Sequence, residues 1–465
     1  MRNKARRNIA VILASGVGQR SQFSRPKQLM KLGGRPVIAH VLARFQAHEA
    51  IDEIAIVTNA LCMGEIEDLI SREGFTKVAR VLLGGAERYE SSLAAVRAYE
   101  SHDEDVELRL LFHDAVRPLV SHNIITRVVE ALDYYEAVDV ALPVTDTVVV
   151  ADPVANTIGE IADRRLIRLG QTPQGFTYRL IKEAYDRALQ DPRFSTTDDC
   201  GVVVKYIPEA PVYVVDGDPA NMKLTFPEDL LILDKFLQSE AGRRVAVAGE
   251  RLRLANLRDR VIAIVGGTSG IGASMARVAA AHGARVELAA RSLGIDVRDA
   301  PALVSWLQMT RDKLGPIDAV VNTAAVLDRR PLASMTPQEI AENVEINFTG
   351  TMNVAWSSFP HLSETRGHLM LFASSSYTYG RAFYSTYSAS KAAVVNLTQA
   401  LADEWSAAGI KVNCVNPERA RTPMRVKAFG NEPPDLLLDP DEVASKALGI
   451  LTEQSSGVIY DILKG

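Results

Sequence analysis

The chain has 465 residues, 47% of them apolar and 23% charged, with a formal net charge of −5. That length exceeds one ordinary core and predicts two or three domains, and the composition excludes a disordered chain. The mild acidity gives no reason to expect nucleic acid as a partner, and no apolar run reaches the roughly 18 residues a membrane span requires, so no membrane partner is expected either.

The first residues, "MRNKARR" followed by "IAVILA", pair a basic cluster with an apolar run too short for a secretory signal. The cysteines Cys62, Cys200 and Cys414 are odd in number and widely spaced, which reads as free thiols in a reducing cytoplasm. "IAVILA" is a buried strand leading into the glycine-rich turn "LASGVGQR". A helix "PVIAHVLARFQA", a strand "EIAIVTN", a helix "MGEIEDLISREG" and a strand "RVLLGG" follow, the grammar of βαβ units around a parallel sheet.

The first glycine turn lets backbone N–H groups approach phosphates. No Gly-Lys-Ser/Thr follows it, so it is not a P-loop. Arg20 and Lys27 instead bring two cations just beyond the turn, with Pro26 fixing the backbone before Lys27. Such dispersed charge suits a triphosphate that reacts at phosphorus. "LLGGAERYESS" sets Gly84 and Gly85 after a strand, with Arg88 and Ser91 beyond, and "LLFHDAVRPLV" ends a strand at Asp114, a candidate for a divalent ion or a substrate hydroxyl. His113 before it reads as a packed histidine. Residues 144–176, "VTDTVVVADPVANTIGEIADRRLIRLGQTPQGF", alternate β-branched residues with turn signals and predict an extended hairpin, an arm suited to dimerisation or to covering a site. "NMKLTFPEDL" adds Lys223.

On the ordered set "LASGVGQR…PKQ", "GGAERYESS", "HDAVRP", "TDT", "TPQGF", "TDD" and "MKLTFPEDL", residues 8 to 238 resemble the methylerythritol phosphate and ribitol phosphate cytidylyltransferases. The resemblance implies CTP on Ala14, Gly16, Gly18, Gly84, Gly85, Arg88 and Ser91, with Arg20, Lys27 and Lys223 around its phosphates. It further implies that Asp114, Thr147, Arg164 and Thr197 face a polyol phosphate, Arg164 reaching a partner subunit through the arm of a homodimer. A phosphate oxygen of the polyol phosphate would attack the α-phosphorus of CTP, with Mg²⁺, for which Asp114 is the candidate ligand, offsetting charge.

The charged stretch 239–258 has no clear strand and reads as a linker between domains at 1–238 and 259–465. Strands "RVIAIVGG", "ARVELAAR", "DAVVNTAA", "HLMLFASSS" and "IKVNCVNP" then alternate with helical segments. "VGGTSGIG" carries Gly266, Gly270 and Gly272 at a strand-to-helix turn whose helix, opening at Ile271 after Ser269, aims its N-terminus at a pyrophosphate. In "YSTYSASKAAVV" Tyr387 and Lys391 are four apart and share a helix face, so the ammonium should favour the phenolate and lower the tyrosine pKa.

These motifs resemble the short-chain dehydrogenase/reductase family over residues 258 to 465. The resemblance implies Tyr387 as proton donor, Lys391 as its partner, Asn347 of "INFTG" as relay and a serine of "ASSSYTYG" as carbonyl orienter. Ser375 matches the strand end and Ser374 the count back from Tyr387; Ser375 is placed first. Asp296, Asn322 and Thr422 match cofactor positions. Arg291 and Ser292 stand where a carboxylate would accept the adenine ribose hydroxyl, so NADPH is expected over NADH. Only four residues separate Arg291 from Asp296, which leaves no room for the helix that ordinarily links two strands there.

The expected fold class is α/β, two doubly wound domains: a nucleotidyltransferase-type Rossmann-like domain with a β-arm, and an NAD(P)-binding Rossmann domain. A reductase that makes alcohols beside a transferase that consumes a polyol phosphate implies a shared small-molecule intermediate. Reduction of ribulose 5-phosphate followed by cytidylyl transfer, giving CDP-ribitol for a surface polymer such as capsule, is the simplest such sequence. A methylerythritol phosphate cytidylyltransferase of isoprenoid synthesis with an appended reductase, and a cytidylyltransferase with a non-catalytic NADPH-sensing domain, are the competing expectations.

Overall fold

The computed structural model describes residues 5–16, 25–85, 87–102, 105–152, 154–247 and 254–464, with backbone alone over 239–247. Gly18 and Arg20 of the first turn lie outside the described residues. The chain forms two compact units, residues 1–236 and 237–465. The helix Asp229–Val247 carries the chain from the first unit into the segment expected as a linker.

In the first unit, β1 (Ala5–Ala14) lies inside a seven-stranded sheet, and both its faces are covered. Ala10, Ile12 and Ala14 enter one core and Ile9 and Val11 the other, because alternate residues of a strand point to opposite faces. A short ribbon of β2 (Lys31–Leu32) and β3 (Arg35–Pro36) follows. The remaining sheet strands are β4 (Glu53–Thr58), β5 (Val78–Leu83), β6 (Val106–Asp114), β7 (Ala137–Pro143), β10 (Arg168–Thr177) and β11 (Val212–Asp216), in the spatial order β11-β7-β10-β6-β1-β4-β5.

The extended hairpin expected over 144–176 is shorter than its sequence signal. Only β8 (Val149–Asp152) and β9 (Thr157–Ile161) pair as an arm, while β10 runs antiparallel between β6 and β7 in the main sheet. Its Gln171, Thr172 and Gln174 look turn-like in sequence yet are buried, their polar groups taken up inside the sheet: Gln171 reaches Asp218 O at 2.9 Å and Gln174 reaches Asp139 at 2.9 Å.

The second unit holds an all-parallel six-stranded sheet: β12 (Val261–Val265), β13 (Arg285–Ala289), β14 (Ala319–Asn322), β15 (His368–Phe372), β16 (Lys411–Pro417) and β17 (Ile459–Ile462), in the order β13-β12-β14-β15-β16-β17. Val261, Ala263 and Val265 face one core, and Ile262 and Ile264 the other. Between Arg291 and Asp296 there is a single 3₁₀ turn, Arg291–Leu293, and no strand forms around Asp296, so β13 is an edge of this sheet. Among the described residues no helix is long and apolar enough to cross a membrane.

Candidate active sites

In the first unit the chemistry gathers at the carboxyl ends of β1, β5 and β6, where open α/β sheets leave a crevice. Ala14 ends β1, and its carbonyl accepts from Gln28 Nε2 at 2.8 Å, which ties the 3₁₀ turn Lys27–Leu29 to the loop mouth. Ser15 Oγ lies 2.6 Å from Ser91 Oγ. A Cβ on Gly84 would stand 2.5 Å from that Ser91 oxygen and 2.8 Å from Ser15 Cβ, so this approach of two loops requires glycine. Gly16 is exposed, with open space around its Cα, and Gly85 is packed against Glu90. Glu87 and Glu90 form a capping box that starts the helix Arg88–Ala98, presenting Arg88 and Ser91 in its first turn.

Asp114 is buried at the end of β6 and ringed by cations: Lys223 Nζ at 3.1 Å, Arg117 Nε at 3.2 Å and Arg88 Nε at 3.8 Å. Burial alone would raise its pKa, but Lys223, Arg88 and Arg117 together hold the carboxyl well below the usual range. Both oxygens are thus engaged by cations, and no cluster of three acidic, histidine or cysteine ligands occurs among the described residues. The expectation that Asp114 ligates a metal does not fit this environment; it organises positive charge instead.

Lys27 Nζ donates to Thr225 O at 2.6 Å; burial lowers its pKa, the Lys223 ammonium adds to the fall and Asp229 opposes it. Two cations therefore face the same space from opposite ends of the unit's sequence. Arg88 also pairs with the fully buried Asp199 at 2.7 Å, and Tyr185 OH donates to the other Asp199 oxygen at 2.6 Å. His113 is buried between Thr172 Oγ1 at 2.9 Å and Arg117 O at 3.1 Å, and burial pulls it down to about 4, a neutral packed residue as expected.

Arg117, Asp199 and Tyr185 join the site beyond the expected residues; Arg117 lies in "HDAVRP", three residues after Asp114, Asp199 in "TDD", and no motif marks Tyr185. Arg164 is exposed and donates to Thr145 O at 3.2 Å, so it shares the base of the arm with the exposed Thr147. Thr197 is exposed beside Asp198, which caps the helix Asp199–Tyr206. These three residues are not bonded to the Asp114 cluster.

In the second unit a cleft of about 630 Å³ runs over the carboxyl edge of the parallel sheet, lined at one end by Gly266, Ser269, Gly270, Ile271 and Gly272 and at the other by Tyr387 and Lys391. A Cβ at Gly272 would lie 2.4 Å from both Gly266 O and Thr323 Oγ1, so helix Gly270–Ala281 can meet the turn this closely only with glycine there. Ser269 at the helix N-cap makes no side-chain capping bond, leaving the first N–H donors directed at the cleft. Thr422 caps the helix Pro423–Phe429 and packs against Gly270 from across the cleft.

Arg291 and Ser292 are exposed at the end of β13, and Ser292 Oγ lies 3.2 Å from Thr268 Oγ1. Asp296 is held on both oxygens by Arg298, at 3.1 and 2.8 Å. Asn322 braces its own turn, donating to Thr351 Oγ1 and accepting from Ala324 N, each at 3.1 Å. Asn347 is fully buried in a π-helical turn, Glu345–Thr349, and its amide clamps Val326 N and Val326 O at 2.9 Å each.

Of the two serines kept as candidates the geometry favours the second, and the expected direction of the Tyr387 shift is corrected. Ser374, not Ser375, hydrogen-bonds the Tyr387 side chain; Ser375 starts a 3₁₀ turn and its Oγ instead accepts from Arg381 Nη2 at 3.3 Å. The Tyr387 pKa is not lowered: burial pushes it up to about 12, against the Ser374 bond that lowers it. Lys391 Nζ stands 5.6 Å from the Tyr387 ring centroid but donates to Phe372 O at 2.7 Å, and burial pulls it down to about 8.

Comparison with known proteins fixes the lineage. The family profile of 2-C-methyl-D-erythritol 4-phosphate cytidylyltransferase matches residues 8–239, and that of short chain dehydrogenase matches residues 289–433. The bifunctional ribulose 5-phosphate reductase/CDP-ribitol pyrophosphorylase Bcs1 of Haemophilus influenzae is 43% identical over 98% of this chain and 96% of its own length. The chain belongs to the bifunctional ribulose 5-phosphate reductase/CDP-ribitol pyrophosphorylase family. A 2-C-methyl-D-erythritol 4-phosphate cytidylyltransferase of Thermobifida fusca is also 43% identical, but over 50% of this chain and 93% of its own. The crystal structure of a 4-diphosphocytidyl-2C-methyl-D-erythritol synthase from Anaerococcus prevotii matches 50% of this chain and 99% of that chain at 28% identity and a TM-score of 0.44. Membership of the bifunctional family thus rests on a match that runs through both units. It gives the two clefts a transferase and an oxidoreductase, both acting on small molecules, the second with a nicotinamide cofactor.

Proposed function

We propose that the second unit reduces D-ribulose 5-phosphate to D-ribitol 5-phosphate with NADPH, and that the first transfers CMP from CTP to that product, giving CDP-ribitol and pyrophosphate. The observation that carries this is the near full-length match to a bifunctional relative, 43% identical over 98% of this chain.

For reduction, the glycine turn and the open N-terminus of helix Gly270–Ala281 fit a dinucleotide pyrophosphate, with Ser269, Ile271, Asn322 and Thr422 framing it. The cofactor supplies a hydride. Tyr387 donates its hydroxyl proton to the ketone oxygen as that oxygen gains negative charge, Ser374 orients the carbonyl, and Lys391 keeps a positive charge beside the ring. At its raised pKa of about 12, Tyr387 is protonated and ready as an acid across the neutral range. Asn347 spends its amide on Val326, so any relay role falls to the main chain of the π-turn. NADPH is favoured over NADH because Arg291 is exposed at the adenine end, while both oxygens of Asp296 are held by Arg298.

For transfer, Lys27, Lys223 and Arg88 neutralise charge growing on the triphosphate, a role the family resemblance also gives to Arg20, and the Gly84–Ser91 contact shapes the cytidine end. Asp114 holds Lys223, Arg88 and Arg117 in position. The polyol phosphate would lie toward Asp114, with Thr147, Arg164 and Thr197 as its outer contacts. Mg²⁺ would enter with the substrate, on the triphosphate oxygens of CTP.

A homodimer through the arm is supported by its exposed Val149, Val150, Ile158 and Ile161. Three buried free thiols accord with a cytoplasmic setting, and the product would serve a surface polymer such as capsule. To test the function, the chain is given ribulose 5-phosphate, NADPH, CTP and Mg²⁺. NADPH loss with a product of CDP-ribitol mass supports it; no NADPH oxidation together with turnover of methylerythritol phosphate overturns it.

A further inference from the structure

The reductase cleft has a second cationic region, distinct from the Arg291 end, on the Tyr387 side. Arg381 lines it just beyond the serine turn; it is exposed, touches Ser375 Oγ at 3.3 Å and forms no ion pair among the described residues. Arg425 and Arg329 both lie over the ring of Phe429, with guanidinium carbons 4.2 and 4.9 Å from its centroid. Glu432 neutralises Arg425 in a bidentate pair at 2.7 and 2.9 Å, while Arg329 has no carboxylate partner among the described residues. Arg419 and Glu418 also line the cleft, so four guanidinium groups are set against two carboxylates, Arg329 joining them through Phe429 rather than from the cleft wall. An aromatic chain connects them to the proton donor: Phe429 lies 6.0 Å from the Tyr384 ring, which lies 6.5 Å from that of Tyr387.

A positive excess at the substrate end of a reductase cleft has no use for a neutral ketose, and a charged cofactor phosphate is already provided for at the far end by Arg291. In an extended pentulose phosphate about four bonds of ~1.5 Å separate the C2 carbonyl carbon from the C5 ester oxygen, which puts the phosphate within a short side chain's reach of the carbonyl. Arginine forks suit a phosphate dianion, and Glu432 with Phe429 holds Arg425 rigid for that purpose.

We propose that Arg381, with Arg329 and the Glu432-braced Arg425, forms the subsite that takes the terminal phosphate of the ketose phosphate and so selects phosphorylated over free sugars. This rests on the reductase reading above and adds the residues that set its substrate class. The test is steady-state reduction by the full chain and by Arg381→Gln, Arg381→Lys and the double variant Arg381→Gln/Arg329→Gln, with NADPH affinity and CMP transfer to supplied ribitol 5-phosphate measured alongside. The KM for ribulose 5-phosphate should rise at least tenfold in Arg381→Gln and further in the double variant. Arg381→Lys should recover part of the loss, and NADPH affinity and CMP transfer should stay within twofold. An unchanged KM for ribulose 5-phosphate in the double variant, or a loss that appears equally in NADPH binding, overturns the subsite. Failure of the unsubstituted chain to reduce ribulose 5-phosphate at all would instead reject the underlying reductase reading.

Discussion

Gly272→Ala is the sharpest test of how the second cleft is built. The added methyl would sit 2.4 Å from Gly266 O and from Thr323 Oγ1. Ordinary carbon–oxygen contacts begin at about 3.3 Å, so roughly 0.9 Å of overlap must be relieved. Thr323 cannot simply rotate away without cost, because its Oγ1 donates to Val265 O at 2.9 Å, and the other obstacle is main chain. Relief therefore means moving the helix or the turn, a strain of about 1–3 kcal/mol. A shift of that size at a positioned site costs on the order of 100-fold in rate. The assay is fluorescence titration of NADPH beside ribulose 5-phosphate reduction and CMP transfer. NADPH affinity should fall tenfold or more and reduction with it, while transfer persists because the other unit carries it. NADPH binding equal to that of the unsubstituted chain would refute the close-approach reasoning.

Tyr387→Phe should abolish reduction yet spare CMP transfer to supplied ribitol 5-phosphate, and Lys27→Ala should do the reverse; both are read in the same two assays. Ser374→Ala should lower the reduction kcat by about 100-fold, in line with loss of an orienting donor, whereas Ser375→Ala should change it only a few-fold. Arg291→Ala should shift the ratio of kcat/KM for NADPH over NADH by tenfold or more toward NADH, measured by initial rates. Asp114→Asn, which leaves Lys223 and Arg117 without their buried carboxylate, should destabilise the first unit by about 3–5 kcal/mol in urea unfolding. The carboxyl of Asp114 is held below its ordinary value, so its stabilisation is complete above about pH 4 and is lost as pH falls below that. Acid unfolding of the unsubstituted chain should accordingly be steeper than that of the variant.

The strands whose signals are continuous apolar runs, such as "IAVILA" and "VIAIV", were legible because a doubly covered parallel strand needs no alternation of polarity. β10 was not, since its buried Gln171, Thr172 and Gln174 satisfy their polar groups only through distant residues, Asp218 and Asp139 among them. β17 escaped for a different reason: four residues at the end of the chain carry too little pattern. At the sites, spacing along one helix placed Tyr387 and Lys391 together, but the sign of the tyrosine shift depends on burial, which spacing does not encode. The choice between Ser374 and Ser375 likewise turned on where the chain leaves the extended conformation after β15, Ser374 being still extended and Ser375 starting a 3₁₀ turn. The ring of cations about Asp114 joins residues more than a hundred positions apart: Arg88 and Lys223 were legible one by one through their motifs, but not their convergence on Asp114, and Arg117 was missed although it lies three residues away.

The central claim is that both clefts act on one molecule. NADPH carrying deuterium at the transferred position, supplied with ribulose 5-phosphate, CTP and Mg²⁺, tests it directly by mass spectrometry of the nucleotide product. The account predicts CDP-ribitol heavier by one deuterium, formed in step with cofactor oxidation. A CDP-linked product without the label, or cofactor oxidation that yields no CDP-ribitol, would contradict it.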